Sequence, residues 1–160
     1  MNNAQIAEKY PMTDRQKTRK VLKRWGSVDR LCSEIDRDID TFRLKIEAAR
    51  SVNPTHISDM PRSGKIADPT AVAALNVLEL TKQYEIVVHE LLQSRDEQLR
   101  FMRAIDALIE LLPDIEQQVI RLRYKRNTPW FMLSMQLYCS ERYARKCEGL
   151  AIDFLSELIV

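Results

Sequence analysis

The chain has 160 residues, of which 45% are hydrophobic and 30% are charged, and its formal net charge at pH 7 is +2. This length allows one domain, or a small domain with an extension, and a composition with only three glycines favours an all-α fold. No apolar run reaches the ~18 residues of a membrane-spanning helix, and the N-terminus lacks a signal peptide's apolar core, so we expect a cytoplasmic protein.

Two long segments with apolar residues in a heptad pattern, starting at Val21 and Ala73, predict two long helices. A capping box at residues 13–16 precedes the first helix, and Gly26-Ser27 is a candidate break within it. Asp68 and Pro69 suit the N-cap and the first position of the second helix. We therefore predict a flexible N-terminus at residues 1–12 and an antiparallel, coiled-coil-like helical hairpin at residues 13–112 with a loop at residues 51–68, followed by a third part at residues 113–160.

The second long helix is predicted to carry a further apolar stripe beside its heptad seam. One partner helix cannot cover both stripes. We expect either the C-terminal helices or a second subunit to cover the remaining stripe, so a homodimer is one prediction and packing within the chain is the alternative. The stripe consists of Leu78, Val88, Leu92, Leu99, Met102 and Ile109.

Basic residues are concentrated in two parts of the chain. Residues 121–146 hold seven Lys or Arg against one acid, and residues 9–30 hold eight against two acids. Residues 51–110 hold six basic and nine acidic residues. This distribution fits a DNA-contacting module on a protein scaffold, although for residues 9–30 the ordinary charged face of a helix explains it equally well.

Residues 113–160 contain three short amphipathic segments, which predict a helix, a turn and a helix-turn-helix DNA-binding domain. The last helix of such a domain enters the major groove. Capping and turn residues separate the segments: Asp114 with Gln117, Lys125-Arg126-Asn127, Thr128 with Pro129, Tyr138-Cys139, and Ser140.

The third of these helices has a predicted inward stripe of Ala144, Cys147, Ala151 and Leu155, and it presents polar residues, Glu148 among them, on its other face. Its Arg and Lys side chains suit guanine edges or phosphates, Ser and Tyr suit phosphate, and Glu suits a cytosine amino group. The alternative for each residue is a solvated surface side chain. The predicted DNA contacts are Ser140, Glu141, Arg142, Tyr143, Arg145, Lys146, Lys125, Arg126 and Thr128.

The pattern L-P-x-x-x-x-x-V-I-x-L-R-Y at residues 112–124, followed by a helix-turn-helix with S-E-R at its last helix, resembles region four of bacterial sigma factors. Residues 20–158 are similar to the RinA/ArpU-type phage transcription regulators, through the linker from Met60-Pro61-Arg62 to Asp68-Pro69 and the S-E-R-Y start at Ser140. The resemblance implies binding of double-stranded promoter DNA and control of phage late genes, typically activation, in the cytoplasm of a bacterial host.

The chain departs from the pattern of this resemblance in three places, of which Tyr138 and Gly149 are the first two. Tyr138 lies in the turn where such motifs often have Gly or Asp, which indicates a different or looser turn. Gly149 interrupts the last helix, where it costs about 1 kcal/mol relative to Ala.

The second helix of the predicted helix-turn-helix is unusually apolar, since Phe131 and Met132 occupy positions that are acidic in many sigma modules. An exposed apolar patch would indicate a protein partner, with host RNA polymerase and a second subunit as the candidates. The alternative is burial against the helical hairpin. The residues concerned are Trp130, Phe131, Met132 and Met135.

The sequence also allows two other functions. One is a DNA-recognition subunit of phage packaging, which a ring of many subunits would favour. The other is a sigma-like or anti-sigma adaptor that holds RNA polymerase and has little affinity for DNA, which salt-dependent DNA binding without polymerase would oppose.

We do not expect an enzyme, a cofactor or a metal site. His56 and His89 have no partner motif, and no Gly-rich phosphate-binding loop occurs. Cys32, Cys139 and Cys147 lack metal-ligand spacing, and Cys32 and Cys147 fall on apolar stripes where they are expected to be small core residues.

Overall fold

The computed structural model describes residues 13–51 and 69–159, with the backbone alone for residues 69–73. Within these ranges every element is helical, which confirms the predicted all-α class. The predictions for residues 1–12, for the loop beyond Ser51 and for the Asp68 cap lie outside the described residues. In chain order the elements are α1 (Asp14–Ser51), α2 (Pro69–Ile109), α3 (Asp114–Ile120), a π-helical turn (Arg121–Lys125), α4 (Trp130–Gln136) and α5 (Glu141–Ile159).

The chain forms two compact units. The first unit joins the chain up to Leu31 with the chain from Gln98 onward, and the second unit comprises Cys32–Glu97. The boundary predicted between residues 112 and 113 therefore falls inside the first unit. The physical reason is that the C-terminal helices bury part of their apolar surface in a core that they share with α1 and α2.

The shared core of the first unit is centred on Trp25 of α1. The Trp25 ring is fully buried, and its Nε1 donates a hydrogen bond of 3.0 Å to Oδ1 of Asp106 on α2. Met102 and Ile109, two members of the predicted second stripe of α2, pack in the same core. These two members of the stripe are therefore covered within the chain, in a core to which both α1 and the C-terminal helices contribute. The other buried members of the core are Leu22, Ile105, Leu112, Ile120, Ala151, Ile152 and Leu155.

Helix α1 runs without interruption through Gly26-Ser27, so the candidate break does not occur. The Ser27 hydroxyl donates to the carbonyl of Arg24 within the helix instead of capping a new one. A Cβ atom added at Gly26 would overlap the backbone carbonyl of Tyr124. Gly26 is therefore the point at which α1 approaches the backbone of the π-helical turn directly.

The helix starts are partly as predicted. Helix α1 begins with one half of the expected capping box, because the Thr13 N–H donates to Oε1 of Gln16 at 3.1 Å. The cap predicted at Asp114 is wrong, since Pro113 holds the capping position of α3 and no side chain caps that helix. Gln117 does not close a capping box either. Its Nε2 donates to the carbonyl of Leu112 at 2.8 Å and so satisfies backbone just beyond α2.

The second unit consists of an antiparallel pair of helical segments from α1 and α2. The rings of Phe42 and Tyr84 lie 5.7 Å apart between the segments, and Ile39 is buried. The seam positions Ile39, Phe42 and Tyr84 therefore pack inward here as predicted, whereas Leu80, also a position of the predicted seam, is exposed. On α2, Leu78 and Leu92 of the predicted second stripe are exposed in the described residues, together with neighbouring apolar residues: Leu75, Leu80 and Ile86.

Candidate nucleic-acid interface

Helices α3, α4 and α5 pack around a small core of their own. Val119, Leu133, Ala144 and Cys147 are buried in it, one or two from each helix. The predicted turn between α4 and α5 is confirmed, and it contains Tyr138 in the left-handed region with a φ of 50°. Together these contacts fix α5 against the two helices that precede it.

Helix α5 begins as the sequence predicts. The hydroxyl oxygen of Ser140 accepts a hydrogen bond of 3.2 Å from the Tyr143 N–H, which is the geometry of an N-cap. The inward stripe is also confirmed, because Ala144, Cys147, Ala151 and Leu155 are all buried. Burial raises the pKa of the Cys147 thiol, which keeps it neutral as a core residue.

The outward face of α5 carries most of the predicted DNA contacts. Arg142, Tyr143, Arg145 and Lys146 are exposed in the first two turns of the helix. Glu141 is half-buried, and its carboxylate lies 3.5 Å from a guanidinium nitrogen of Arg145. A salt bridge this exposed is weak, so Arg145 can exchange it for another anion at little cost.

The three predicted contacts that precede α4 differ in their exposure and in their partners. Arg126 is exposed, whereas Lys125 lies 3.6 Å from Asp29 and over the ring of Trp25. Thr128 is only 9% exposed, and its carbonyl accepts a hydrogen bond from Arg123. The structure therefore does not group Thr128 with the exposed side chains.

The predicted start of α4 is also wrong by one residue. Pro129 occupies the capping position rather than the first helical position, and no side-chain hydrogen bond caps the helix. The backbone N–H of Thr128 donates instead to the carbonyl of Leu122. Thr128 thus joins the end of the π-helical turn to α4 through its backbone.

The apolar residues of α4 do not form one patch. Phe131 is 62% exposed, and Met132 and Met135 are also exposed, so they are not buried against other helices of the described chain. Tyr138, one turn further on, is 97% exposed. Trp130 is half-buried and belongs to a different surface. We call Phe131, Met132 and Met135 of α4, together with Tyr138 of the turn that follows, the apolar row of α4.

A basic cleft of about 700 Å³ lies in the first unit beside the start of α4. Its walls come from α1, the π-helical turn and α5. Six of the lining side chains are cationic and one, Glu148, is acidic. The cations are Arg19, Lys23 and Arg30 from α1, Arg123 and Lys125 from the π-helical turn, and Arg145 from α5.

Trp130 organises two of these cations. The guanidinium carbon of Arg123 lies 4.9 Å from the centre of the Trp130 ring, and that of Arg145 lies 4.8 Å from it. Both distances are within the range of a cation–π interaction. Trp130 therefore positions a residue of the outward face of α5 at the wall of the cleft.

Glu148, predicted to face outward, is an internal residue of this site. Its side chain is only 12% exposed, and Oε1 accepts a hydrogen bond of 2.9 Å from the Tyr124 hydroxyl. A guanidinium nitrogen of Arg19 lies 3.7 Å from Oε2. Burial, and then the hydrogen bond and charge of Glu148, raise the pKa of Tyr124 well above its ordinary value of 10.0.

We expect the Tyr124 hydroxyl to ionise only well above pH 10, because burial and the Glu148 carboxylate both oppose a phenolate there. A raised pKa in the folded state means that the associated stability is complete below pH 10 and decreases as the pH rises towards the folded pKa. In an absorbance titration of tyrosinate formation, the ionisation of Tyr124 should therefore appear as a separate step well above pH 10. Tyr124→Phe should remove this step. Tyr138→Phe is the control and should leave that step; its loss in the control would contradict the assignment.

Several cations of the cleft are absent from the predicted DNA contacts. Arg19, Lys23 and Arg30 fall within the basic block of residues 9–30, and that block is the sequence signal that points to them. Arg123 falls in the other basic segment, residues 121–146, although it was not among the predicted contacts. A second exposed apolar row on α5 was also not predicted, although its spacing of four residues is visible in the sequence: Leu150, Phe154 and Leu158.

Comparison of the chain with protein-family models, with curated proteins and with solved structures finds no match. Among the described helices, none combines the length and apolar character needed to cross a membrane. In the same part of the chain, His, Cys, Asp and Glu side chains do not assemble in groups of three or more that could hold a metal ion.

Proposed function

We propose that the chain is a sequence-specific DNA-binding transcription regulator that contacts promoter DNA through α5. The observation that carries the proposal is the outward face of α5, where Arg142, Tyr143, Arg145 and Lys146 are exposed on a helix whose opposite face is buried. A rigid helix with basic side chains in its first turns suits the major groove, because such side chains reach both base edges and flanking phosphates.

In this proposal α4, the turn at Tyr138 and α5 act as a helix-turn-helix. Residues at the start of α5 read base edges, while cations around the start of α4 position the duplex through its phosphates. The exposed apolar residues on α2, such as Leu75, Leu78 and Ile86, are available to a second subunit. A homodimer would read paired half-sites.

The resemblance to sigma region four and to the RinA/ArpU-type regulators supports the same function. Val119 and Ile120, the V-I pair of the shared pattern, are buried, so this pair belongs to the core. A protein of this type would act on phage late-gene promoters in the cytoplasm of a bacterial host, most simply as an activator.

A second candidate is a sigma-like adaptor that works by holding RNA polymerase. The apolar row of α4 favours a protein partner, because apolar side chains with this degree of exposure contribute little to the stability of the fold. The two functions are compatible if α4 contacts polymerase while α5 contacts DNA.

Selection of fragments bound by the purified chain from the genome that encodes it tests the proposal directly. We expect enrichment of a promoter region and an affinity that decreases steeply with salt, since phosphate contacts release counterions. Polymerase is omitted from the selection. Failure to enrich any sequence, combined with binding to polymerase alone, would contradict DNA recognition and favour the adaptor.

A further inference from the structure

The basic cleft contains more positive charge than its own acidic group can balance. Six cations and one carboxylate line it, and that carboxylate already interacts with the Tyr124 hydroxyl and with Arg19. Lys125 lies 3.6 Å from Asp29 and Arg145 lies 3.5 Å from Glu141, and neither of these acids lines the cleft. Lys23 has no ion-pair partner among the described residues. Grouped cations of this kind repel one another and attract an anion of several charges.

The cations are held in place by contacts around the cleft. Gly26 brings α1 against the backbone of the π-helical turn, and Arg19 reaches Glu148 on α5. Arg123 and Arg145 both lie over the ring of Trp130. The cleft is thus arranged before any ligand arrives, which lowers the entropy lost on binding.

The anion that fits this cleft is a phosphate rather than a complete nucleotide. A nucleobase would need an aromatic face, and both guanidinium groups over the Trp130 ring would compete with it there. The Tyr124 hydroxyl is already bonded to Glu148. Lys and Arg side chains bind successive phosphates of a nucleic-acid strand without reading its bases.

We propose that the cleft binds the sugar–phosphate backbone of the same duplex that α5 contacts, so that Lys23 and Arg30 of α1 extend the interface. Arg145 links the two surfaces, because it belongs to the outward face of α5 and also lines the cleft. The inference rests on the proposed function, and it assigns a role to the N-terminal basic block.

The test compares wild type with Lys23→Gln and with the double variant Lys23→Gln/Arg30→Gln, using fluorescence anisotropy on a selected promoter duplex and on a scrambled duplex. Loss of two phosphate contacts should lower the slope of log affinity against log salt by about 2, and the affinity at ~0.15 M salt by roughly 10- to 30-fold. Both duplexes should be affected equally, so the ratio of their affinities should stay unchanged.

The matched control is Lys82→Gln/Arg103→Gln, which removes one Lys and one Arg that are exposed and do not line the cleft. It should keep the wild-type slope. Circular dichroism checks folding, and Lys23→Gln alone, at an exposed position, provides a second variant that should keep the fold.

The outcomes separate the two proposals. Salt-dependent DNA binding by wild type with no difference between cleft and control variants would overturn the cleft assignment and leave the proposed function standing. Absence of DNA binding by wild type would overturn both. Saturable calorimetric binding of ATP or inorganic phosphate without DNA, lost in the cleft variants, would identify a free phosphate compound as the ligand and overturn the assignment to the backbone.

Discussion

Replacement of Gly26 by Ala should lower the free energy of unfolding by about 3 kcal/mol, the upper part of the range for overpacking a close contact. Glycine inside a helix is ordinarily about 1 kcal/mol less favourable than alanine, so intrinsic propensity alone predicts the opposite sign. The Cβ atom that the substitution adds would overlap the backbone carbonyl of Tyr124, which has no side-chain rotation available to relieve the overlap. Urea unfolding followed by circular dichroism measures the change.

Gly149→Ala provides the matched control on another helix of the same unit. The added Cβ would meet only a guanidinium nitrogen of Arg15 at 3.4 Å, the far end of a flexible side chain that can move away. We therefore expect Gly149→Ala to stabilise the protein by about 1 kcal/mol through helix propensity. A gain in stability in both variants would show that α1 does not approach the π-helical turn as closely as described.

The double variant Arg142→Ala/Arg145→Ala should lose sequence-specific DNA binding, by about 100-fold or more, while its helical circular dichroism stays intact. Each good contact of an arginine with a guanine edge contributes about 1–3 kcal/mol of discrimination, and two such contacts together account for the loss. Both side chains are exposed, so their removal leaves the core unchanged.

Single variants distinguish a side chain that reads base edges from one that positions the duplex. Arg145 also contacts the Trp130 ring and Glu141, whereas Arg142 has no such contact among the described residues. Arg142→Ala is therefore expected to relax the preference for promoter over scrambled duplex, and Arg103→Ala, away from this face, should not. Undiminished promoter binding by the double variant would refute the role of α5.

The helices and their inward faces could be predicted because they depend on local chemistry. The step of three or four residues from Ala144 to Leu155 fixes one face of α5, and Ser140 fixes its start. Both are encoded within a few residues of one another. The same holds for the heptad seam of α1 and α2.

The roles of Gly26 and Glu148 could not be predicted from the local sequence. A glycine within a helical pattern permits either a break or a close approach, and only the distant Tyr124 decides between them. Glu148 lies beside the inward stripe, and its burial depends on Tyr124 and Arg19, which come from two other elements. Long-range partners of this kind leave no periodic signal.

The basic cleft could not be predicted from the sequence for the same reason. Its cations come from α1, from the π-helical turn and from α5, which are separated by most of the chain. The charge concentration at each end of the sequence indicated two basic regions. That they meet in one unit follows from the core around Trp25, which brings the first helix to the last.

The backbone conformation of Tyr138 bears on which residue evolution should favour at this position. The left-handed backbone costs a residue other than glycine about 1–2 kcal/mol, and a ring that is 97% exposed recovers almost none of it by burial. Selection for folding alone would place Gly or Asn in this turn. If the apolar row of α4 contacts a protein partner, as proposed, a lineage that loses this contact should drift to Gly or Asn at position 138 while its buried residues persist.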